Sequence, residues 1–570
     1  WGGLTAEILR RLGVATAVIC PGSRSAPLAC GFALNGEIEA LPILDERSAS
    51  FFALGLAKRT GQPVALVCTS GTAAANWLPA VVEAHYSNTP LILLTADRPP
   101  ELRDCGAGQA IDQQKLYGGY VRWFHELALP DDSLYGYLRN TLQHAAERAL
   151  GTDPGPVHLN VPFRDPLVPV AQGHFKCEAD LEVGFSTRER RDMEGVFDRV
   201  DAIEAFDAFI RSGKRGVIIL GERIGPVPWE AAQSRYGFDA LSRKAGLAVL
   251  VDVLSPARHH GDAEASLVVH YDAILRANPE DLDIAYAVVF GKLPTSKVLR
   301  SYLARAGVTL FFFDEASANL NPLPNLAFRI TCGLDDVEIS GSWEDLEHIR
   351  RMEAGANPWV SHSLTAADRL FEALNGVTDL AEPKIPHVLG HHLPEETLVF
   401  IASSTPIRDA EWFWPATDRR YRVLANRGAN GIDGTLSSAL GVAHRAGKPA
   451  VLVTGDLAFL HDQNGLLLKG IFDGSLTVVL INNNGGGIFQ NLPISEYAEV
   501  FEAYFATPQR VDFAKLALAH DVDYFRPKDW EALTDLISAL PQSGIRLIEV
   551  QTDRVADAAL RKRLLHILVD

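Results

Sequence analysis

The stretch GTLSSALGVAHRAGKPAVLVTGDL, residues 434–457, has the pattern of a helix followed by a buried strand, with Gly and Pro between them. An earlier stretch, SASFFALGLAKRTGQPVALVCTSG at residues 48–71, aligns with it at a constant offset of 386, and nine of the 24 positions are identical. The same offset aligns PLILLTADR (90–98) with LTVVLINNN (476–484) without a gap. Two helix–strand units can share such a pattern by chance, but this match covers two strands and the crossover between them. The repeat therefore predicts that one α/β domain occurs twice in the chain.

Strand-like apolar runs alternate with helical patterns along the whole sequence, which predicts βαβ units with mainly parallel sheets and helices on both faces. A chain of 570 residues is too long for one hydrophobic core. Breaks in the alternation divide it into three blocks, and each block is predicted to be a doubly wound α/β domain. The predicted domains cover residues 1–185, 195–350 and 362–570, with the first and third as the two copies.

The composition narrows the classes of function. A formal net charge of −18 argues against nucleic acid as a partner. No apolar run approaches the roughly 18 residues that are needed to span a bilayer, so no membrane span is expected. The six cysteines are scattered without a C-x-x-C pair, and the first residues lack the pattern of an export signal. These features predict a cytoplasmic protein with reduced thiols.

Two oxygen-bearing side chains follow neighbouring predicted strands of the third block. The strand AVLVTGD ends at Asp456, and the strand LTVVLINN ends at Asn483. The carboxyl ends of parallel strands meet at one edge of a sheet, where open α/β sheets bind ligands. A carboxylate, an amide oxygen and a glycine carbonyl form a sparse donor set, typical of Mg²⁺ that completes its coordination with phosphate oxygens and water. The run NNNGGG is also a plain turn former, and that interpretation remains open on these residues alone.

A Gly-Asp pair followed 27 residues later by Asn-Asn resembles the motif of the thiamine diphosphate (ThDP) enzymes. The resemblance implies three domains, which bind the pyrimidine, form a central Rossmann-like unit and bind the diphosphate. It implies that Asp456, Asn483 and the carbonyl of Gly485 hold Mg²⁺, with Mn²⁺ as an alternative metal. Many family members have Gly where this chain has Leu457.

One branch of this family is especially similar, the 2-succinyl-5-enolpyruvyl-6-hydroxy-3-cyclohexene-1-carboxylate synthases of the menaquinone and phylloquinone pathway. The branch decarboxylates 2-oxoglutarate and adds the resulting succinyl carbanion equivalent to isochorismate. The resemblance covers nearly all of the first and third blocks and is weaker in the second. Its motifs in this chain are ICPGSRSAPL, DERSASFFALGLAK, TSGTAAANWLPAVVEA, LTADRPPELRDCGAGQAIDQ, NRGANGIDGTLSSALGV, TGDLAFLHDQN and NNNGGGIFQNLP.

The resemblance implies a catalytic role for Glu46, whose carboxylate would lie against N1′ of the aminopyrimidine. On the residues alone, an acid in the first turn of a helix is simply favourable to the helix dipole. Ile432 would be the bulky residue that presses the cofactor into its bent shape. The full set implied for the cofactor is Glu46, Ser70, Gly71, Thr72, Asn76, Gly431, Ile432, Asp456, Leu457, Asn483, Gly485 and Ile488.

Both substrates implied by the resemblance are dicarboxylates, which guanidinium groups bind bidentately. Any one arginine considered alone is more simply explained by a surface salt bridge. In the central block Lys297 matches the first member of a basic pair, but Val298 stands where the second is expected, and Arg300 is a candidate substitute. The full set implied for the substrates is Ser23, Arg24, Arg98, Gln109, Lys297, Ser404, Arg408, Arg427, Ile488, Phe489 and Leu492.

The two copies differ in a complementary way, since Glu46 aligns with Ile432, and Ser70 and Asp97 align with Asp456 and Asn483. Each copy therefore carries half of a site. The resemblance implies that the halves come from different subunits of a homo-oligomer, a dimer or a dimer of dimers, with the cofactor at the interface. Two alternatives remain, a ThDP enzyme for another substrate, such as an acetolactate-synthase-like enzyme or a 2-oxoacid decarboxylase, and a catalytically silent relative that serves as a scaffold.

Overall fold

The computed structural model describes residues 1–168, 204–206, 208–222, 242, 246–260, 267–277, 281–305, 307–314, 319–330 and 357–568. The predicted domain boundaries at 185, 195 and 350 lie outside these ranges. Within them the chain forms three six-stranded sheets, and all strand pairs in each sheet are parallel. The prediction of three α/β units with parallel sheets is confirmed.

The first sheet has the strand order β2-β1-β3-β4-β6-β5. Its strands are β1 (Thr16–Ile19), β2 (Glu39–Pro42), β3 (Val64–Cys68), β4 (Leu91–Asp97), β5 (Trp123–Glu126) and β6 (Pro156–Pro162). The helices around it are α1 (Gly2–Arg11), α2 (Ala26–Ala33), α3 (Glu46–Thr60), α4 (Thr72–Ala75), α5 (Leu78–Tyr86) and α6 (Tyr135–Leu150). Strands β3, β4 and β6 are buried along their whole length, as strands of a parallel sheet covered on both faces should be.

The central sheet has the strand order β12-β11-β10-β7-β8-β9, the arrangement of a Rossmann-like unit. Its strands are β7 (Gly216–Leu220), β8 (Ala248–Val251), β9 (Leu267–Val268), β10 (Tyr286–Phe290), β11 (Thr309–Phe313) and β12 (Ala327–Ile330). Its described helices are α7 (Tyr271–Ala277) and α8 (Lys297–Leu303). Thr295, which precedes α8, accepts a hydrogen bond from Arg427 of the third domain, so this end of the central domain lies beside the third sheet.

The third sheet has the order β14-β13-β15-β16-β18-β17, which repeats the strand order of the first sheet. Its strands are β13 (Leu398–Ile401), β14 (Arg422–Ala425), β15 (Ala450–Gly455), β16 (Ser475–Asn482), β17 (Asp523–Phe525) and β18 (Gly544–Gln551). Its helices are α9 (Pro358–Asn375), α10 (Ile385–His392), α11 (Thr405–Phe413), α12 (Thr435–Ala443), α13 (Asp456–His461), α14 (Ala498–Phe501), α15 (Phe513–Ala519), α16 (Trp530–Ser538) and α17 (Arg554–Leu565). The duplication inferred from the 386-residue offset is therefore present in the fold.

The two copies pack directly on each other through α3 and α12. A Cβ atom on Gly55 would overlap the carbonyl oxygen of Ser438, and a Cβ atom on Gly441 would overlap the carbonyl oxygen of Phe52. Gly55 and Gly441 are 386 positions apart, and so are Phe52 and Ser438. The crossing therefore has an approximate two-fold symmetry. One hydrophobic cluster extends from the first sheet to the third across this crossing.

None of the helices in the described part of the chain combines the length and the apolar character that a membrane crossing requires.

Candidate functional site

Strands β15 and β16 bring the predicted metal ligands together. The two strands pair with Gly455 opposite Ile481, so Asp456 and Asn483 follow them at the same sheet edge. Both side chains are buried, with 4 % and 6 % of their surfaces exposed. Burial raises the pKa of Asp456 to about 6, and backbone N–H groups oppose this rise by donating to its carboxylate.

The donor set at this edge fits a hard divalent cation. The Oδ1 atom of Asn483 is buried and has no hydrogen-bond partner among the described residues. Each oxygen of Asp456 accepts one N–H, from Leu457 and from Gly485, both at 2.8 Å, which leaves further lone pairs free. An unpaired buried acceptor is costly, and a cation bound to it would remove that cost.

The loop after β16 has a backbone that only glycine tolerates at one position. Gly485 has φ of +128°, and a Cβ atom there would overlap the carbonyl oxygen of Ala506. The Gly485 carbonyl accepts a hydrogen bond from the N–H of Gly487 at 2.8 Å and keeps a second lone pair. The loop is thus packed tightly between Asp456 and the backbone of Phe505 and Ala506, and its glycines permit that close packing.

Glu46 is the first residue of α3, and its side chain is partly exposed. Asp45 caps the helix by accepting from the N–H of Ser48 at 2.9 Å, so Glu46 is free of the capping role. No hydrogen bond or ion pair to its carboxylate occurs among the described residues. Arg47, the next residue, donates to the carbonyl of His461 at 2.7 Å. Within one chain, α3 therefore begins beside the C-terminal end of α13, whereas Asp456 is the first residue of that helix.

The loop after β3 gathers several of the predicted residues. Arg98 donates to the hydroxyl of Ser70, and Gln109 donates to the Ser70 carbonyl at 3.0 Å. Gly71 has φ of +90°, and a Cβ atom there would lie 3.0 Å from Cγ of Gln109. Thr72 and Asn76 are exposed on α4 and its C-terminal end, which leaves both accessible to a ligand or a second chain.

The remaining predicted cofactor residues lie at the surface of the third domain. Ile432 is half-buried in the loop before α12, although a residue of this kind is usually buried fully. Its carbonyl accepts from the hydroxyl of Thr435 at 2.8 Å, and Gly431 precedes it. Leu457 is half-buried at the start of α13.

Two predicted arginines of the first domain lie close together. Arg24 is buried and donates to the carbonyl of Phe163 at 2.9 Å, while its nearest carboxylate oxygen, on Asp165, is 3.6 Å away. Burial lowers the pKa of Arg98, and the charge of Arg24 lowers it further, which indicates that the two guanidinium groups are within electrostatic reach. Ser23, the preceding residue, is exposed.

Three arginines form a second group at the third sheet, here called the arginine cluster: Arg300, Arg408 and Arg427. Burial lowers the pKa of Arg408 and of Arg300, and the charge of Arg427 lowers both further. Arg427 donates to Ser403 at 3.4 Å and to Thr295 at 3.0 Å. Arg408 donates to the carbonyl of Ser404, a residue with φ of +81°. Lys297 is exposed at the start of α8.

The arginine cluster has no carboxylate partner in an ion pair among the described residues. This contrasts with Arg103, which pairs with Asp97 and Glu126, and with Arg561, which pairs with Asp409. The charge of Arg427 opposes those of Arg300 and Arg408, which Asp252 and Asp409 offset from beyond ion-pair distance. The explanation by ordinary salt bridges, which the sequence leaves open for each arginine, therefore does not apply to these three.

The predicted apolar wall follows the metal ligands directly. Ile488 and Phe489 are half-buried in a 3₁₀ turn, Gly487–Asn491, and the ring of Phe489 lies 5.7 Å from that of Phe505. Leu492 is 39 % exposed. The wall thus presents apolar surface beside the oxygen donors.

Some residues of the site were missed in the sequence. Gln113 is buried and accepts from the N–H of Gly71 at 2.9 Å, so it supports the loop that carries Ser70. Glu382 is buried and accepts from the Asn483 amide at 3.2 Å. Neither could be found from a motif, because the contacts join segments 42 and 101 residues apart.

Comparison with known families agrees with this division into two copies. Residues 2–116 match the family described as thiamine pyrophosphate enzyme, N-terminal TPP binding domain. Residues 410–550 match the thiamine pyrophosphate enzyme, C-terminal TPP binding domain. The fold resembles that of benzoylformate decarboxylase from Polynucleobacter necessarius, with a TM-score of 0.70 and 17 % identity over 97 % of this chain and 98 % of that one.

Curated relatives match over almost the whole chain. A protein of Synechococcus sp. (strain JA-3-3Ab) is 46 % identical over 99 % of this chain and 95 % of its own length. A protein of Thermosynechococcus vestitus is 45 % identical over 99 % of this chain and 97 % of its own length. A protein of Trichormus variabilis is 44 % identical over 99 % of this chain and 96 % of its own length. All three are named 2-succinyl-5-enolpyruvyl-6-hydroxy-3-cyclohexene-1-carboxylate synthase.

Proposed function

The chain belongs to the 2-succinyl-5-enolpyruvyl-6-hydroxy-3-cyclohexene-1-carboxylate synthase family of thiamine pyrophosphate enzymes, and from this we propose its reaction and the roles of its residues. It decarboxylates 2-oxoglutarate and adds the succinyl carbanion equivalent to isochorismate, with release of CO₂, in menaquinone or phylloquinone biosynthesis. The observation that carries the substrate class is the arginine cluster. Three guanidinium groups without an ion-pair partner among the described residues, in a chain of net charge −18, suit dicarboxylates.

Thiamine diphosphate, when bound, supplies the electron sink for the loss of CO₂. Asp456, Asn483 and the Gly485 carbonyl would hold its diphosphate through Mg²⁺, and Mn²⁺ also suits such oxygen donors. The unpaired Oδ1 atom of Asn483 supports this role. Ile488 would contact the cofactor from the apolar wall.

Glu46 would hold a proton against the pyrimidine ring, and its partly exposed, unpaired carboxylate supports a ligand-facing role. Ile432 would press against the cofactor, which explains a half-buried aliphatic side chain in a polar loop. Ser70, Gly71, Thr72 and Asn76 would line the pyrimidine side.

The arginines would orient the substrates. One group that would contact a substrate consists of Ser23, Arg24, Arg98 and Gln109. The other consists of the arginine cluster and Ser404. In the central domain we assign the substrate contact to Arg300 rather than to Lys297, because Arg300 is half-buried beside the charge of Arg427, whereas Lys297 is exposed. Phe489 and Leu492 would cover the apolar parts of the substrates.

We propose a homo-oligomer, a dimer or a dimer of dimers, in which each site combines the Glu46 half of one subunit with the Asp456 half of another. Its support is that Glu46 and Asp456 lie on different copies of the repeated domain, and that within one chain α3 begins beside the C-terminal end of α13 rather than at Asp456. We also propose a cytoplasmic location, where the described cysteines Cys20, Cys30, Cys68 and Cys105, all free, would remain reduced.

The test is an assay with protein, ThDP, Mg²⁺, 2-oxoglutarate and isochorismate, followed by isochorismate absorbance and CO₂ release. We expect both signals, each dependent on all components. Turnover of pyruvate without isochorismate consumption would instead favour an acetolactate-synthase-like enzyme or another 2-oxoacid decarboxylase.

A further inference from the structure

Asn483 can serve as a metal ligand only if its amide oxygen, rather than its amide nitrogen, faces the metal pocket. The two ends of an amide have nearly the same shape, so the choice depends on the groups around them. In this structure Nδ2 donates to Oε2 of Glu382 at 3.2 Å, while Oδ1 is left buried without a partner. The environment of the nitrogen therefore decides where the oxygen points.

Glu382 lies far from Asn483 in sequence, in a 3₁₀ turn, Glu382–Lys384, that precedes α10. It is 2 % exposed, and its backbone N–H donates to Asp557 at 3.0 Å, which fixes the turn against α17. The Arg561 guanidinium approaches the same Oε2 atom at 3.3 Å. One amide N–H and one arginine cation thus face the same oxygen of Glu382, which favours that oxygen as an acceptor.

Gly487 restricts the amide from another side. A Cβ atom at this position would lie 2.6 Å from Nδ2 of Asn483, so the glycine provides the space that the amide nitrogen occupies. A reversed amide would place the Asn483 oxygen against Oε2 of Glu382, with two acceptors in contact and no proton between them.

We propose that Glu382 is a positioning residue, which holds the Asn483 amide so that its oxygen is presented to the metal ion. This inference rests on the proposed cofactor site. Removing a group that hydrogen-bonds to a metal ligand and orients it typically weakens metal affinity by 10–100-fold. The role belongs to the position of the Glu382 oxygen, not to its charge.

Two conservative variants separate position from charge. Glu382→Asp keeps the charge that faces Arg561 but withdraws the acceptor from Asn483 by about one bond length, roughly 1.5 Å. Glu382→Gln removes the charge but keeps an amide oxygen at the same reach. We expect the dissociation constant of Mn²⁺, measured by electron paramagnetic resonance on the full-length protein with ThDP, to rise about tenfold or more in Glu382→Asp. In Glu382→Gln it should stay within about threefold of wild type.

Asp409→Asn is the matched control. Asp409 pairs with Arg561 at 2.5 Å in the same buried network but does not contact Asn483. Its replacement should lower the melting temperature while leaving Mn²⁺ affinity within about threefold of wild type. Unchanged affinity in Glu382→Asp, or a loss in Glu382→Gln or Asp409→Asn equal to that in Glu382→Asp, would overturn the inference. Wild-type protein that binds no Mn²⁺ with ThDP would overturn the cofactor proposal and this inference together.

Discussion

Glu46 offers the clearest test at the scale of single residues. Its carboxylate is not needed to cap α3, because Asp45 performs that role. We therefore expect Glu46→Gln to leave the melting temperature nearly unchanged and ThDP affinity within a few-fold of wild type. The turnover number should fall about 10²–10⁴-fold, as is usual when a proton-transferring group is removed. Kinetics and a ThDP titration by tryptophan fluorescence check this, and a large loss of affinity would contradict the assigned role.

Gly485 tests the backbone requirement of the metal loop. Gly485→Ala combines a strained φ with an overlap at the Ala506 carbonyl, so the loop must move. We expect a loss of about 1–3 kcal/mol in the free energy of unfolding, together with weaker Mg²⁺-dependent ThDP binding. Gly470→Ala is the control, because a Cβ atom there meets nothing within 4 Å and the backbone is unstrained. Equal stability of the two variants would show that the loop relaxes without cost.

At the scale of elements, the crossing of α3 and α12 depends on two glycines. A methyl group at Gly55 or Gly441 would enter the backbone of the opposite helix, and no side-chain rotation can relieve that overlap. We expect Gly55→Ala and Gly441→Ala each to lower the free energy of unfolding by about 3 kcal/mol, measured by denaturant titration. Gly136→Ala in α6, where the added methyl group faces open space, should raise stability by up to about 1 kcal/mol.

The arginine cluster gives an element-level prediction about the central domain. On helix α8 Arg300 is half-buried and lies within electrostatic reach of Arg427, whereas Lys297 is exposed. We expect Arg300→Ala to raise the KM of a dicarboxylate substrate about tenfold, the effect of losing one hydrogen bond to a charged group. Lys297→Ala should leave it unchanged. The opposite pattern would return the substrate contact to Lys297.

Sequence patterns alone predict much of the fold and less of the site. Strands such as PVALVC and LTVVLIN are continuous apolar runs, and their burial on both faces follows directly from that composition. The 386-residue offset likewise predicts two copies with one topology. The support of Asn483 by Glu382 and of Gly71 by Gln113 could not be predicted, because tertiary packing creates these contacts without a local pattern. Among the described residues Arg427 and Arg408 have no ion-pair partner, and a sequence cannot show this because it depends on the tertiary fold.

At the scale of the whole molecule, the division of each site between subunits can be tested by mixing inactive chains. Glu46→Gln and Asp456→Ala should each be nearly inactive alone. If sites form between subunits, a mixed dimer contains one site built from two intact halves. Random pairing of the two variants, by co-expression with different tags, should then restore about a quarter of wild-type activity, since half of the dimers are mixed and each has one working site of two. A mixture that remains inactive, with mixed dimers isolated, would place both halves of a site in one chain.

The shared core of the two copies also has a consequence for biosynthesis. Helix α3 leaves the ribosome 386 residues before α12, the helix on which it packs, is made. At a translation rate of 5–20 residues per second, this is a delay of roughly 20–80 s. During that interval the nascent chain exposes an apolar helix face with nothing to cover it. We therefore expect newly made chains to depend on a chaperone such as a ribosome-associated holdase. Refolding should be faster when the first and third domains are both present from the start.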